Sequence, residues 1–192
     1  MKKFANLIYK KAIDFAGKKQ STKFLAFISF IESFIFPLPT DIFLIPMIIA
    51  NKKKYLFLII LTTIFSVLGG IIGYFIGYYF WDILQPYFIK LYPGFEINFE
   101  NFKEKFLKIG WILVMIGGFT PFPYKIITVS CGILNVNFLL FTFFSAISRF
   151  LRFFLVGYIV YKFGEQTKKI VDKYFNIITI IIIILISLYF II

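Results

Sequence analysis

Five ionisable side chains lie inside stretches that are otherwise apolar: Glu32, Asp41, Lys125, Arg149 and Arg152. A charge at the centre of a membrane helix costs about 2.5–3.5 kcal/mol on insertion scales, so such groups usually face a cavity or a partner. A guanidinium binds phosphate through two parallel hydrogen bonds, and a carboxylate in a low-dielectric cavity holds a proton more readily than one in water. The sequence therefore predicts anion handling coupled to protons. Glu32 and Asp41 are the proton-responsive candidates, and the phosphate-binding candidates are Lys125, Arg149 and Arg152.

Each of these residues also has a purely structural interpretation. Glu32 and Arg149 could form a buried ion pair that only holds helices together. Lys125 and Arg152 could extend their charged ends to a membrane interface. The residue types favour function for Glu32, Asp41 and Arg149, and they leave both interpretations open for Lys125 and Arg152.

The composition places these charges in a membrane protein. Of the 192 residues 60% are hydrophobic, and the mean hydropathy is +0.90, whereas a soluble domain has roughly 45–50% apolar residues. The net charge is +12, but the lysines flank apolar segments instead of forming a basic stripe with aromatic residues. That placement is typical of cytoplasmic helix ends that meet anionic lipids, and it argues against nucleic-acid binding.

Cysteine and histidine usage narrows the chemistry further. The chain has one cysteine, Cys131, and no histidine, so no disulfide can form within it. A Cys/His metal site and a Ser-His-Asp or Cys-His catalytic pair are excluded for the same reason. We therefore expect no cofactor, no metal and no enzymatic activity.

The basic N-terminal segment, residues 1–23, has no clean apolar core and no small-residue cleavage site, so it does not predict a cleavable signal peptide. Its apolar residues recur at helical spacing with lysines between them, which predicts an amphipathic helix on the membrane surface; a solvated arm is the alternative. The apolar residues are Phe4, Leu7, Ile8, Ala12 and Phe15.

Two apolar segments, residues 55–80 and 138–160, are each long enough to cross a bilayer, because a helix needs roughly 20 residues to do so. A polar stretch over residues 81–108 predicts a loop after the first span. Residues 161–192 predict a net-basic loop followed by a C-terminal transmembrane helix from about residue 175.

Two further apolar segments are broken near the middle by paired prolines. Residues 24–50 contain Pro37 and Pro39, and residues 109–137 contain Pro121 and Pro123. A proline inside a helix costs about 3 kcal/mol, and the halves of the first segment are each too short to cross a bilayer. Both segments therefore predict re-entrant hairpins.

Lysines flank both ends of the first hairpin, which places both ends in the cytoplasm by the positive-inside rule. The stretch before the second hairpin has a formal charge sum of zero and its far end carries no lysine, so that hairpin should enter from the outside. The N-terminus is then cytoplasmic, and each hairpin is followed by a span. In the alternative, each broken segment is a full kinked span and the lysines at 52–54 lie outside.

The predicted fold is thus an all-α integral membrane protein with an inverted repeat of re-entrant hairpin plus transmembrane helix, flanked by the N-terminal amphipathic helix and the C-terminal transmembrane helix. Both breaks share a Pro-x-Pro-x-charge pattern, and inverted repeats with broken helices are a transporter arrangement. Four glycines at helical spacing predict close helix packing in the first span: Gly69, Gly70, Gly73 and Gly77.

Four segments of the chain resemble the DedA family (the SNARE-associated or VTT-domain superfamily), especially its short YqaA-like members. They are residues 32–41, 69–77, 118–125 and 149–152, with sequences ESFIFPLPTD, GGIIGYFIG, GFTPFPYK and RFLR. The resemblance covers roughly residues 24–160.

This resemblance implies two re-entrant hairpins and a protein of the bacterial inner membrane that moves lipids across the bilayer. Undecaprenyl phosphate or a phospholipid is the implied substrate, often with coupling to the proton-motive force. The acidic residues of the family's first hairpin correspond to Glu32 and Asp41. Gly118 stands where many members carry an arginine, and Lys125 lies near a second one. Arg149 and Arg152 would then have to supply the cationic contacts.

The leading functional hypothesis is a flippase- or scramblase-like lipid translocase with membrane lipids and protons as its partners. One alternative is a proton-coupled transporter of a small solute, and another is a membrane organiser that transports nothing. The sequence leaves the oligomeric state open, with a homo-oligomer as one option.

Overall fold

The computed structural model describes residues 20–35, 39–92, 94–120 and 122–164. Within these ranges the regular structure is entirely helical, as predicted. The helices are α1 (Ser21–Glu32), α2 (Asp41–Ala50), α3 (Tyr55–Leu91), α4 (Phe95–Phe119), α5 (Tyr124–Ile133) and α6 (Phe138–Phe163), with a 3-10 turn at Lys52–Lys54 before α3. Most of the predicted N-terminal amphipathic helix and the whole predicted C-terminal transmembrane helix lie outside the described residues.

Two of the helices are long and apolar enough to cross a membrane. One is α3 with its preceding turn, Lys52–Leu91, and the other is α6, Phe138–Phe163. These two helices contain the two predicted spans, and they support the assignment of the chain to the membrane proteins. The other described helices are shorter or more polar, and they pack around these two.

The loop predicted over residues 81–108 is largely helical, and this prediction was wrong. Helices α3 and α4 run through the stretch and turn at Gly94, which has a φ of 80°, a backbone angle that glycine adopts without steric cost. The rings of Trp81 and Phe99 stack with centroids 4.7 Å apart, and those of Phe88 and Phe95 with centroids 5.5 Å apart. This aromatic packing stabilises both helices, although the stretch has as many charged residues as a typical loop.

Helices α1 and α5 pack against the glycines of α3. A Cβ atom on Gly69 would lie 2.0 Å from the carbonyl oxygen of Phe30 in α1, and one on Gly77 would lie 2.1 Å from that of Val129 in α5. Between these two positions Gly70 and Gly73 lie against side chains of α5. The missing side chains therefore let two short helices pack backbone to backbone on one long helix.

Substituting Gly77 by alanine should destabilise the fold, because the added methyl group must displace the α5 backbone. Overpacking of this kind costs about 1–3 kcal/mol, so the unfolding temperature of the purified protein in detergent should fall. Gly110→Ala is the matched control, since its Cβ would have no neighbour closer than 3.7 Å. Equal unfolding temperatures for the two variants would contradict the packing described above.

Two apolar clusters fill the bundle, and α3 and α6 contribute to both. The first cluster combines these helices with α1 and α2, and the second combines them with α4 and α5. Along α6, Phe141 belongs to the second cluster and Phe153 to the first. Arg149 lies between Phe141 and Phe153 in the sequence. Helix α6 therefore carries this arginine where the two apolar clusters meet.

Candidate functional site

The first helix break places a carboxylate on each side. Helix α1 ends at Glu32 and α2 begins at Asp41. Two prolines, Pro37 and Pro39, predicted this break. Pro39 lies just before α2 and is exposed, and Pro37 lies outside the described residues. The second break has the same layout, with Pro123 directly before α5 and Pro121 outside the described residues.

Glu32 forms a buried ion pair with Arg149. The distance from Glu32 Oε2 to Arg149 Nη2 is 2.8 Å, and the side chains are 17% and 2% exposed. Thr40 donates its hydroxyl to the same carboxylate oxygen at 2.8 Å. Arg149 also donates Nε to the Ser66 hydroxyl of α3 at 2.7 Å. The pair thus joins the end of α1 to α3 and α6.

Two aromatic rings hold the Arg149 guanidinium as well. Its central carbon lies 4.7 Å from the ring centroid of Tyr124 and 4.6 Å from that of Phe153. Cation–π contacts of this kind contribute about 2 kcal/mol or more when they are desolvated. Arg149 is therefore held by a carboxylate, a hydroxyl and two rings.

Asp41 and Arg152 form a second pair one helical turn along α6. Asp41 Oδ2 accepts a hydrogen bond from Arg152 Nη2 at 2.5 Å, and the side chains are 15% and 8% exposed. Arg152 Nη1 also donates to the carbonyl of Phe119 at 3.5 Å, where α4 ends. The other oxygen of Asp41, Oδ1, is buried and accepts no hydrogen bond from any residue that the structure describes. The Asp41 carboxylate thus keeps one buried oxygen without a donor among the described residues.

Lys125 lies apart from both ion pairs and connects the two breaks. Its Nζ donates to the carbonyl of Ile35, just beyond α1, at 3.2 Å. The Thr128 hydroxyl, also on α5, donates to the carbonyl of Lys125 at 2.9 Å and lies 3.4 Å from the carbonyl oxygen of Ser33. The second break therefore contacts the first through backbone carbonyls. A cation at the C-terminal end of a helix such as α1 is favourably placed against the helix dipole.

The sequence singled out both members of each pair but missed the residues that support them. Ser33 and Ser66 share a hydrogen bond of 2.8 Å, which links the start of the break to the hydroxyl that Arg149 uses. Tyr124 is 1% exposed and covers one face of Arg149. A lone serine or tyrosine in an apolar stretch carries no signal of this kind, because its role depends on which helices pack together.

Gly118, where the family resemblance implies an arginine, has no space for a side chain. A Cβ atom there would lie 2.1 Å from the hydroxyl oxygen and 2.9 Å from Cβ of Ser148 on α6. The close approach of α4 and α6 occupies the region. Apart from Lys125 on α5, the cationic groups at this break thus come from α6, through Arg149 and Arg152.

Gly118→Ala should therefore destabilise the protein by about 1–3 kcal/mol through overpacking. The same substitution should cost much less in a Ser148→Gly background, because both atoms closest to the new methyl group are then gone. Unfolding temperatures of the four proteins in detergent give the comparison. An equal loss in both backgrounds would show that Ser148 does not limit the space.

Comparisons with known proteins identify a family and two relatives to which the chain is similar. The family model of the VTT domain matches residues 38–162, a range that includes Asp41, Lys125 and both arginines. A Haemophilus influenzae protein, described only as uncharacterised, is 34% identical over 164 residues, which is 85% of this chain and 84% of that protein. A Histophilus somni protein, also described as uncharacterised, is 36% identical over 166 residues, which is 86% of this chain and 85% of that protein.

No solved structure matches the chain significantly. The match to the VTT domain and the two relatives confirm the resemblance that the residues around the breaks and the glycines first indicated. With its all-helical bundle and two long apolar helices, the chain belongs to the VTT-domain (DedA) family of membrane proteins.

Proposed function

We propose that this protein is a lipid translocase that moves a phosphate-bearing lipid, such as undecaprenyl phosphate or a phospholipid, across the bacterial inner membrane with proton coupling. The observation that carries the proposal is the pair of buried carboxylate–guanidinium contacts between the first helix break and α6. Charged groups inside a membrane bundle are costly and usually mark a transport pathway. In the proposed role the chain binds and moves its substrate without catalysing a reaction.

The helix lengths support a re-entrant arrangement. Helix α1 has 12 residues and α2 has 10, which correspond to about 18 and 15 Å, so neither crosses a hydrocarbon core of about 30 Å. Helix α5 also has 10 residues. We infer that the two breaks lie within the bilayer as tips of opposed hairpins, and the hydrogen bond from Lys125 to Ile35 is the contact expected between such tips. Inverted repeats bring broken helices together in this way.

The basic residues support the proposed orientation. The turn at Lys52–Lys54 follows α2, and Lys162 lies near the end of α6. Basic helix ends face the cytoplasm by the positive-inside rule. We infer that this end of the bundle and the N-terminus are cytoplasmic, and that α3 runs outward and α6 inward.

The chemistry we propose at the site is an exchange of anions on a guanidinium. When a proton binds a carboxylate, that group becomes neutral and its arginine can bind a lipid phosphate instead. One proton gained and one phosphate charge gained leave the net charge of the site unchanged. The desolvation penalty that opposes a lone buried charge is then avoided in both states.

We assign this exchange to Asp41 and Arg152, because the two carboxylates differ in their hydrogen bonds. Arg149 is held by Ser66 and two rings in addition to Glu32, so releasing it would break several contacts. Asp41 keeps one oxygen without a hydrogen bond from the described residues, and that oxygen can accept a proton before the ion pair separates. Glu32 and Arg149 then act as the fixed part of the site.

Reconstitution into liposomes tests the proposed function. Labelled phospholipid and labelled polyprenyl phosphate are supplied separately, and headgroup accessibility is measured with and without a pH gradient. We expect translocation that depends on the protein for at least one lipid and that changes with the gradient. Translocation no faster than in protein-free vesicles for both lipids would contradict the proposal, and proton-coupled flux of a soluble anion would then favour a small-solute transporter.

A further inference from the structure

A second basic site lies at the C-terminal end of α6, beyond Arg149 and Arg152. Lys52, Lys53, Tyr55, Tyr161 and Lys162 line an open cleft of about 650 Å³, which we call the lysine cleft. Three cations from two separate helical elements thus converge on one space. None of the residues proposed to carry transport belongs to it.

The two tyrosines fix the shape of the lysine cleft. The rings of Tyr55 and Tyr161 stack with centroids 4.5 Å apart and an interplanar angle of 21°. Since Tyr55 is the first residue of α3 and Tyr161 lies in the last turn of α6, the stacking holds the two helix ends together. Helix packing therefore brings the lysines next to Tyr55 and Tyr161 close together.

The charge of the lysine cleft is uncompensated by the part of the chain that the structure describes. Neither Lys52, Lys53 nor Lys162 forms an ion pair with a carboxylate of those residues. Lys162 instead places its Nζ 5.6 Å from the ring centroid of Phe163. Three lysines around a space of this size attract a ligand with more than one negative charge.

The position of the lysine cleft selects the kind of anion. It joins the start of one membrane-length helix to the end of the other, so it lies where the bundle meets the membrane surface. Tyrosines are enriched at that level, and basic pockets between transmembrane helices bind polyanionic lipid headgroups. Lys162 lies ten residues beyond Arg152 on α6, about 15 Å along the helix, so the cleft is separate from the ion pairs.

We propose that the lysine cleft binds the headgroup of a membrane lipid that carries two phosphates, as a site distinct from the translocation pathway. The three ammonium groups contact the phosphates, and the tyrosine pair packs against the adjoining glycerol and acyl region. Binding there ties the ends of α3 and α6 to each other and to one leaflet. Lipid binding in the cleft does not depend on the proposed transport activity.

Lipid binding to the purified full-length chain tests the proposal. The protein is held in phosphatidylcholine nanodiscs, and retention of cardiolipin, which has two phosphates, is measured against phosphatidylglycerol, which has one. We expect preferential retention of cardiolipin. In Lys52→Gln/Lys53→Gln/Lys162→Gln the affinity should fall about tenfold or more, since each lysine near a membrane surface contributes measurably to anionic lipid binding.

A matched variant removes the same charge elsewhere: Lys90→Gln/Lys105→Gln/Lys108→Gln should retain cardiolipin as the unmodified chain does. The single substitution Lys162→Glu, which reverses one charge, should weaken retention even if the triple variant folds poorly. Equal retention in the cleft variants and the matched variant would overturn the proposal. Displacement of cardiolipin by an equal concentration of inorganic pyrophosphate would also overturn it, because the site would then recognise free phosphates and not a lipid.

Discussion

Replacement of Arg149 by glutamine is expected to cause the largest loss of stability of any substitution at the site. The change leaves the Glu32 carboxylate in a mostly buried position without its cation, and it removes the donor to Ser66. Breaking a buried ion pair by removing one partner costs about 3–5 kcal/mol, because the remaining charge is uncompensated. Thermal unfolding of the purified protein in detergent measures the effect.

The double variant Glu32→Gln/Arg149→Gln should recover a large part of that loss, since no lone charge remains and amide groups can hydrogen-bond to each other. Arg149→Lys should lie between the unmodified chain and Arg149→Gln, because the charge stays and the planar contact with Tyr124 and Phe153 is lost. Lys108→Gln, which changes an exposed residue, serves as the control. If the double variant is no more stable than Arg149→Gln alone, the pair does not hold the fold as described.

The second large effect is expected at the other pair, and it concerns transport. In Asp41→Asn/Arg152→Gln both charges are removed together, so no buried charge is left alone and the protein should fold. Lipid translocation should fall at least about tenfold, because a hydrogen bond to a charged group contributes about 1.5–3 kcal/mol. Headgroup accessibility in liposomes measures the rate, and the unfolding temperature verifies the fold.

Glu100→Gln is a suitable control for this variant, because Glu100 is exposed on α4 and pairs only with Lys103 among the described residues. Its translocation rate should equal that of the unmodified chain. Arg152→Lys keeps a positive charge but loses the two-bond geometry for phosphate, so an intermediate rate is expected. A folded double variant that moves lipid at the unmodified rate would remove Asp41 and Arg152 from the transport mechanism.

Much of the site could be predicted from the sequence, because charges inside apolar segments are rare and must find partners. That criterion selects Glu32, Asp41, Lys125, Arg149 and Arg152, and the structure brings all but Lys125 together as two ion pairs. The sequence suggests a pair of Glu32 with Arg149 only as one interpretation, and it gives no partner for Asp41 or Arg152. Glu32 and Arg149 are 117 positions apart, and spacing along the chain does not determine which carboxylate meets which arginine.

The supporting residues could not be predicted, for a different reason. Ser66 and Thr40 are small polar residues of types common in membrane helices, and their importance arises only from the atoms they reach. The loop predicted over residues 81–108 is largely helical for a similar reason. The lysines and glutamates there resemble a loop, but Trp81 and Phe99 stack across two helices, and tertiary packing of this kind overrides the local polarity.

Proton exchange at Asp41 is tested most directly by a measurement of proton movement during lipid translocation. Liposomes that contain the protein and a trapped pH indicator receive labelled lipid in the outer leaflet, and lumenal pH and headgroup accessibility are recorded together. Protons should cross with the lipid in the unmodified chain, and Asp41→Asn should abolish this coupled proton movement. Lipid translocation without any change in lumenal pH, or the same change in Asp41→Asn, would contradict proton exchange at Asp41.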